Sequence, residues 1–137
     1  MEEKLLEEWQ ERLGLQDWAI VLRYNCKHSD FEEADVDGET SQQQVIKAAV
    51  IKILDEKEFG DRIVDFDFER TLVHELLHLK FGLIDKYNSS YESTVVDELR
   101  HQLLDDLARA MVMAKRGETT RVLNKDCKKV KDMYERS

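Results

Sequence analysis

The chain has 137 residues, 42% of them hydrophobic, with 30 acidic against 21 basic side chains and a net charge of −9. That length and apolar share predict one domain over residues 1–137 with a sizeable core, and they exclude a disordered chain. The acidic balance argues against nucleic acid as a partner, and no apolar run approaches the roughly 20 residues that span a bilayer.

The charge is uneven. Residues 115–137 hold eight Lys/Arg and four Asp/Glu, a local +4 that leaves −13 for residues 1–114. The basic end reads as one solvated face of a helix. Met1-Glu2-Glu3-Lys4 has no signal-peptide pattern. Cys26 and Cys127 form no C-x-x-C pair, which fits a reducing compartment, so cytoplasmic residence is expected.

In chain order, Leu5, Leu6, Trp9 and Leu13 recur at helical spacing and predict a helix over 2–13, with Gly14 as its stop. Trp18 to Asn25 is rich in β-branched and aromatic residues and predicts a strand. The polar stretch from His28 to Gln44 accommodates a short strand near Val36 and a turn at Asp37-Gly38. Val45 to Leu54 predicts the second clear strand, and Asp55 to Asp65 a loop. A helix follows from Asp65 or Asp67 to about Phe81, with Gly82 as its stop.

After a connection, Ser89 and Glu92 form a capping box. It opens a long helix to about Arg116, with Val95, Leu99, Leu103, Leu107 and Met111 as its apolar stripe and Val96, Leu104, Ala108 and Val112 beside them. A last helix is expected over about 119–135, with Leu123, Cys127, Val130 and Tyr134 aligned. The order of elements predicts an α+β domain: an N-terminal helix, a small mixed sheet of about three strands, then helices.

The helix over 65–81 carries His74-Glu75-Leu76-Leu77-His78, which fits H-E-x-x-H. Residues four apart share a helix face, so both imidazoles can point at one ion, each nitrogen about 2.0–2.1 Å from a zinc. Glu75 is turned aside by one residue, where a general base would stand. An ionisable trio among Val73, Leu76, Leu77 and Leu79 demands partners, and a metal supplies one.

A catalytic zinc commonly takes three protein ligands. Glu98, on the next helix, is the first candidate for the third. His101, one turn later, shares its face and is the second. Asp85, Glu92 and Asp97 remain open.

With Asp97-Glu98 following it, the motif resembles the gluzincin branch of the zincin metallopeptidases, whose third ligand is a glutamate. The 20 residues from His78 to Glu98 agree with that branch. The compact layout over roughly residues 2–116 is similar to minigluzincins and to the ImmA/IrrE-like proteins of phages and other mobile elements. Phe81 and Ile84 stand where the metzincin branch needs a glycine and a ligand. The resemblance implies one zinc per chain held by His74, His78 and Glu98, with Glu75 as the base that activates water for attack on a peptide bond. It also implies a side chain that steadies the first histidine, with Gln102 or Asp105 as candidates. His101 is a candidate second electrophile beside Tyr87 and Tyr91. An exposed strand edge, expected within Val45 to Leu54, would pair with an extended peptide or protein substrate. The alternative is a zinc-bearing regulatory module that does not cleave.

Overall fold

The computed structural model describes residues 1–33, 36–60, 65–88, 94–117 and 132, with the side chains of 83–88 and 94–95 excepted. The capping box at Ser89 and the helix expected over 119–135 lie outside the described residues.

Helix α1 spans Glu2–Leu13 and buries Leu6, Trp9 and Leu13. It stops where expected, because Gly14 adopts φ 69°, a left-handed conformation that costs a residue without Cβ little. Three strands follow: β1 (Ala19–Cys26), β2 (Gly38–Gln43) and β3 (Ala48–Leu54). Their order is β1-β3-β2. β1 runs parallel to β3, and β2 runs antiparallel to it. The sheet is therefore mixed and three-stranded, with β3 at its centre. A one-turn helix, α2 (Glu56–Phe59), interrupts the stretch expected to be loop, and Asp55 caps it by accepting from the Lys57 N–H. Two long helices complete the fold, α3 (Phe68–Asn88) and α4 (Thr94–Arg116). The architecture is α+β, as the order of apolar patterns predicts.

One core joins these elements. β3 alternates, burying Ala49, Ile51 and Ile53 against Leu72, Val73 and Leu76 of α3. Burying each large aliphatic stabilises the fold by about 1.5–3 kcal/mol. α4 adds Leu104, Ala108 and Val112. At the far end of the α3–α4 pair, Glu69 is buried and accepts from Trp9 Nε1 at 2.8 Å, from Lys115 and from Arg116 Nη2 at 2.9 Å. Asp67 caps α3 by accepting from the Arg70 N–H, and it receives both Arg116 Nη atoms at 2.8 and 3.0 Å. These contacts tie α1, α3 and α4 together.

Four expectations are corrected. Helix α3 does not stop at Gly82 but runs on to Asn88. A Cβ at Gly82 would strike the side chains of Gln42 and Gln44, so this glycine admits β2 against the helix. The strand expected from Val45 begins only at Ala48, because Gln44 to Lys47 form the hairpin turn and Val45 is 96% exposed. That strand is also central, so its edges are taken, and among the described residues the unpaired edge beside α3 belongs to β2. Finally, α4 buries Leu104, Ala108 and Val112, while Leu99 and Leu103 are 59% and 53% exposed.

Candidate metal centre

His74 and His78 project from α3 on the side away from Leu72 and Val73. Their Nε2 atoms face each other at 3.2 Å. His101 comes from α4, its ring centroid 5.8 Å from that of His74 and 5.2 Å from that of His78. One nitrogen from each of the three rings lies within 4.8 Å of the others, the one such group of potential ligands among the described residues.

The donor set fits a divalent metal. Two nitrogens each about 2.0–2.1 Å from a tetrahedral zinc stand about 3.3 Å apart, close to the spacing observed. His74 Nδ1 bonds Asp105 Oδ1 at 2.7 Å. With Nδ1 as the donor to that carboxylate, the lone pair of Nε2 points at the cluster, the tautomer a metal requires. Asp105, four residues after His101, therefore takes the steadying role for which Gln102 was the first candidate.

Glu98 is not brought into the cluster. It lies exposed on α4, and the third ring at the centre belongs to His101. The reason is rotation about α4. Taking Leu104, Ala108 and Val112 as the buried stripe, His101 lies about 20° from its centre and Glu98 about 80° at roughly 100° per residue. The same geometry turns Leu99 about 180° away from the stripe, which accounts for its exposure. His101 thus stands within the group, where a third ligand would. The side chains of Asp85 and Tyr87, together with Tyr91 and Glu92, lie outside the described residues.

Glu75 is 5% exposed. Thr40 Oγ1 donates to its Oε1 at 2.8 Å, and its Oε2 stands 4.0 Å from His74 Nε2. Burial pushes the Glu75 carboxyl up to about 7, against the pull of His74 and the Thr40 hydrogen bond. Burial also lowers His78, to about 4, helped by the neighbouring His74 and His101. For His74 burial pulls down, but the Asp105 hydrogen bond and nearby carboxylates outweigh it and the net shift is upward. At neutral pH, His78 is a neutral donor and Glu75 is poised to take or give a proton.

Strand β2 supplies the opposite wall. Its two-residue period places Gly38, Thr40 and Gln42 on one face. Gly38 lies against the Glu75 side chain, Thr40 bonds it, and Gln42 Nε2 reaches His78 O at 3.4 Å. Thr40 is a site residue that the composition of the stretch does not announce. No apolar alternation in Gly38 to Gln43 marks it either. Between this wall and helices α3 and α4 lies a cavity of about 640 Å³ with the imidazoles and Glu75 in its lining.

No helix among the described residues is long and apolar enough to cross a membrane. Comparison with protein-family models, with curated proteins and with solved structures finds no match to this chain.

Proposed function

We propose that the chain is a zinc-dependent metallopeptidase of the zincin type that cleaves peptide or protein substrates in a reducing, cytoplasmic compartment. The observation that carries this reading is the convergence of three imidazoles beside a buried carboxylate on the wall of an open cavity. An all-nitrogen donor set suits zinc among the common divalent ions. His74, His78 and His101 would hold it. Bound zinc supplies a Lewis acid that polarises a carbonyl and makes water a nucleophile near neutral pH.

The remaining work falls to the chain. Glu75 Oε2 takes the proton from the attacking water and returns it to the leaving amine. Thr40 holds Oε1, which fixes the plane of that carboxylate. Asp105 keeps His74 in one tautomer and one orientation. The free edge of β2 offers backbone groups to an extended peptide alongside Glu75.

The test is Glu75→Gln in purified, zinc-loaded protein. Zinc content is expected to stay at one per chain, and hydrolysis of a mixed peptide pool to fall by about 10²–10⁴-fold. Undiminished turnover in this variant would remove Glu75 as the base and the reading with it.

A further inference from the structure

Two arginines line the cavity beside the imidazoles, Arg70 from α3 and Arg109 from α4. Arg109 Nε is shut away from solvent and has no hydrogen-bond partner. It is the one buried side-chain nitrogen or oxygen left unpaired among the described residues. Neither guanidinium forms a hydrogen bond or an ion pair with the described residues. The acids nearby are engaged elsewhere. Asp105 bonds His74, and Asp67 takes Arg116 and the Arg70 backbone N–H. Both guanidiniums act on Asp105 through space only, and that of Arg70 acts on Asp67 in the same way. An orphaned buried donor is rare in a folded protein and asks for a partner, here one from outside the chain.

We infer that Arg70 and Arg109 form a carboxylate-binding subsite, so that the peptide taken by the cavity carries a carboxylate, at its C-terminus or on an aspartate or glutamate side chain, to one side of the bond to be cleaved. The inference rests on the metallopeptidase reading of the imidazole cluster. The guanidinium fork suits a carboxylate, since two parallel N–H donors meet its two oxygens. Seating a carboxylate on Nε–H and one Nη–H requires the Arg109 side chain to turn toward the cavity, and no hydrogen bond holds it back. Position along the helices sets the distance from the reacting bond. Arg70 stands four residues before His74, and Arg109 eight residues after His101. At 1.5 Å per residue these are offsets of about 6 and 12 Å along the helix axes. Both run toward the same end of the helix pair, where Glu69 at the start of α3 meets Lys115 and Arg116 at the end of α4. An extended peptide advances about 3.3 Å per residue, so the carboxylate lies about two to four residues from the scissile bond.

Binding can be measured without turnover. Zinc-loaded Glu75→Gln protein is titrated against three peptides of equal length, each with fluorescein at its N-terminus, and anisotropy is read. One peptide is uncharged with an amidated C-terminus. The second is identical but ends in a carboxylate, and the third is amidated with glutamate at alternate positions. At least one of the two carboxylate peptides is expected to bind about tenfold or more tightly than the uncharged one, and which of them does so names the source of the carboxylate. Arg109→Met and Arg70→Met, made separately in the same background, are each expected to cut that preference by about threefold or more. Arg109→Met breaks no hydrogen bond and keeps the length of the stem, so Tm is expected to hold. Arg70→Met, on the other helix, tests the subsite independently. Equal affinity for the three peptides, no binding of any, or a preference unchanged in either variant would each overturn the inference. The last of these would mean that the zinc itself, or another group, takes the carboxylate. Zinc content read on the same samples decides the metallopeptidase reading separately. One zinc per chain with equal affinities sinks the subsite alone, and a preference that needs both arginines in protein that holds no zinc sinks the metal reading alone.

Discussion

His101→Ala and Glu98→Ala differ by one helical turn and should differ sharply in what they do to zinc. The structure places a ring nitrogen of His101 within 4.8 Å of ring nitrogens of His74 and His78, and leaves Glu98 exposed outside the group. A ligand bound only by the folded state stabilises it by RT ln(1 + [L]/Kd), about 2.7 kcal/mol when zinc is at 100 times Kd. For 137 residues the unfolding entropy near Tm is about 0.29 kcal/mol per degree, so zinc raises Tm by about 9 °C under that condition. Weakening a metal site about 100-fold, the upper end for losing even a supporting contact, brings free zinc down to about Kd. The stabilisation then falls to about 0.4 kcal/mol and the rise in Tm to about 1–2 °C. At one fixed zinc concentration, thermal scans with and without metal should thus show shifts of about 9 °C for the parent and for Glu98→Ala, and about 1–2 °C for His101→Ala. The reverse pattern, with Glu98→Ala losing the zinc response and His101→Ala keeping it, would refute the assignment of His101.

Two further outcomes follow from the packing around the site. A Cβ at Gly38 would stand 2.8 Å from Glu75 Oε2 and 2.9 Å from its Cγ. The clash includes Cγ as well as the carboxylate, so Gly38→Ala should cost about 1–3 kcal/mol in urea titration while displacing the base and slowing hydrolysis by about ten- to a hundredfold, with zinc content unchanged. An unchanged rate would mean that Glu75 has slack against β2. At the other end of α3, burial pushes Asp67 and Glu69 up, but hydrogen bonds from Arg116 and Lys115 hold both carboxyls below their ordinary values of 3.8 and 4.5. Depressed folded values add stability that is present above about pH 4.5 and is lost as pH falls through them. Arg116→Met should lower the urea midpoint at about pH 6 and narrow its difference from the midpoint at about pH 3. An equal acid dependence in the two proteins would show that Arg116 does not hold these carboxylates.

The parts of this protein that were legible in its sequence are those where one residue spacing has one physical reading. His74, Glu75 and His78 needed only the helical period, and so did α1 with its stop at Gly14. The third ring was harder. Glu98 and His101 both lie within reach of the motif by count, and the choice between them depends on which stripe of α4 is buried. Leu99 and Leu103 made one stripe look apolar enough to be core. Leu104, Ala108 and Val112 form the stripe that packs, in one core with Leu76 and Val73 of α3. A helix with apolar residues around most of its circumference does not declare its buried side. Strand β2 was obscured for the opposite reason. Its sequence, Gly38-Glu39-Thr40-Ser41-Gln42-Gln43, has no apolar alternation, since the face that would carry it lines a polar site. Gly82 was misread because a glycine near the end of an apolar run has two uses, stopping a helix or admitting a neighbour, and only the position of Gln42 and Gln44 separates them.

The cluster of Asp67, Glu69, Lys115 and Arg116 gives helices α3 and α4 the mechanics of a pair of tongs. They are riveted at one end, and the three imidazoles stand partway along the arms. At the other end the chain itself joins the two helices, since α3 ends at Asn88 and α4 begins at Thr94. An ion gripped by His74 and His78 from one arm and His101 from the other would be a further rivet between them. Such an ion would fix the spacing of the two helices at a point between the salt-bridge cluster and the chain connection.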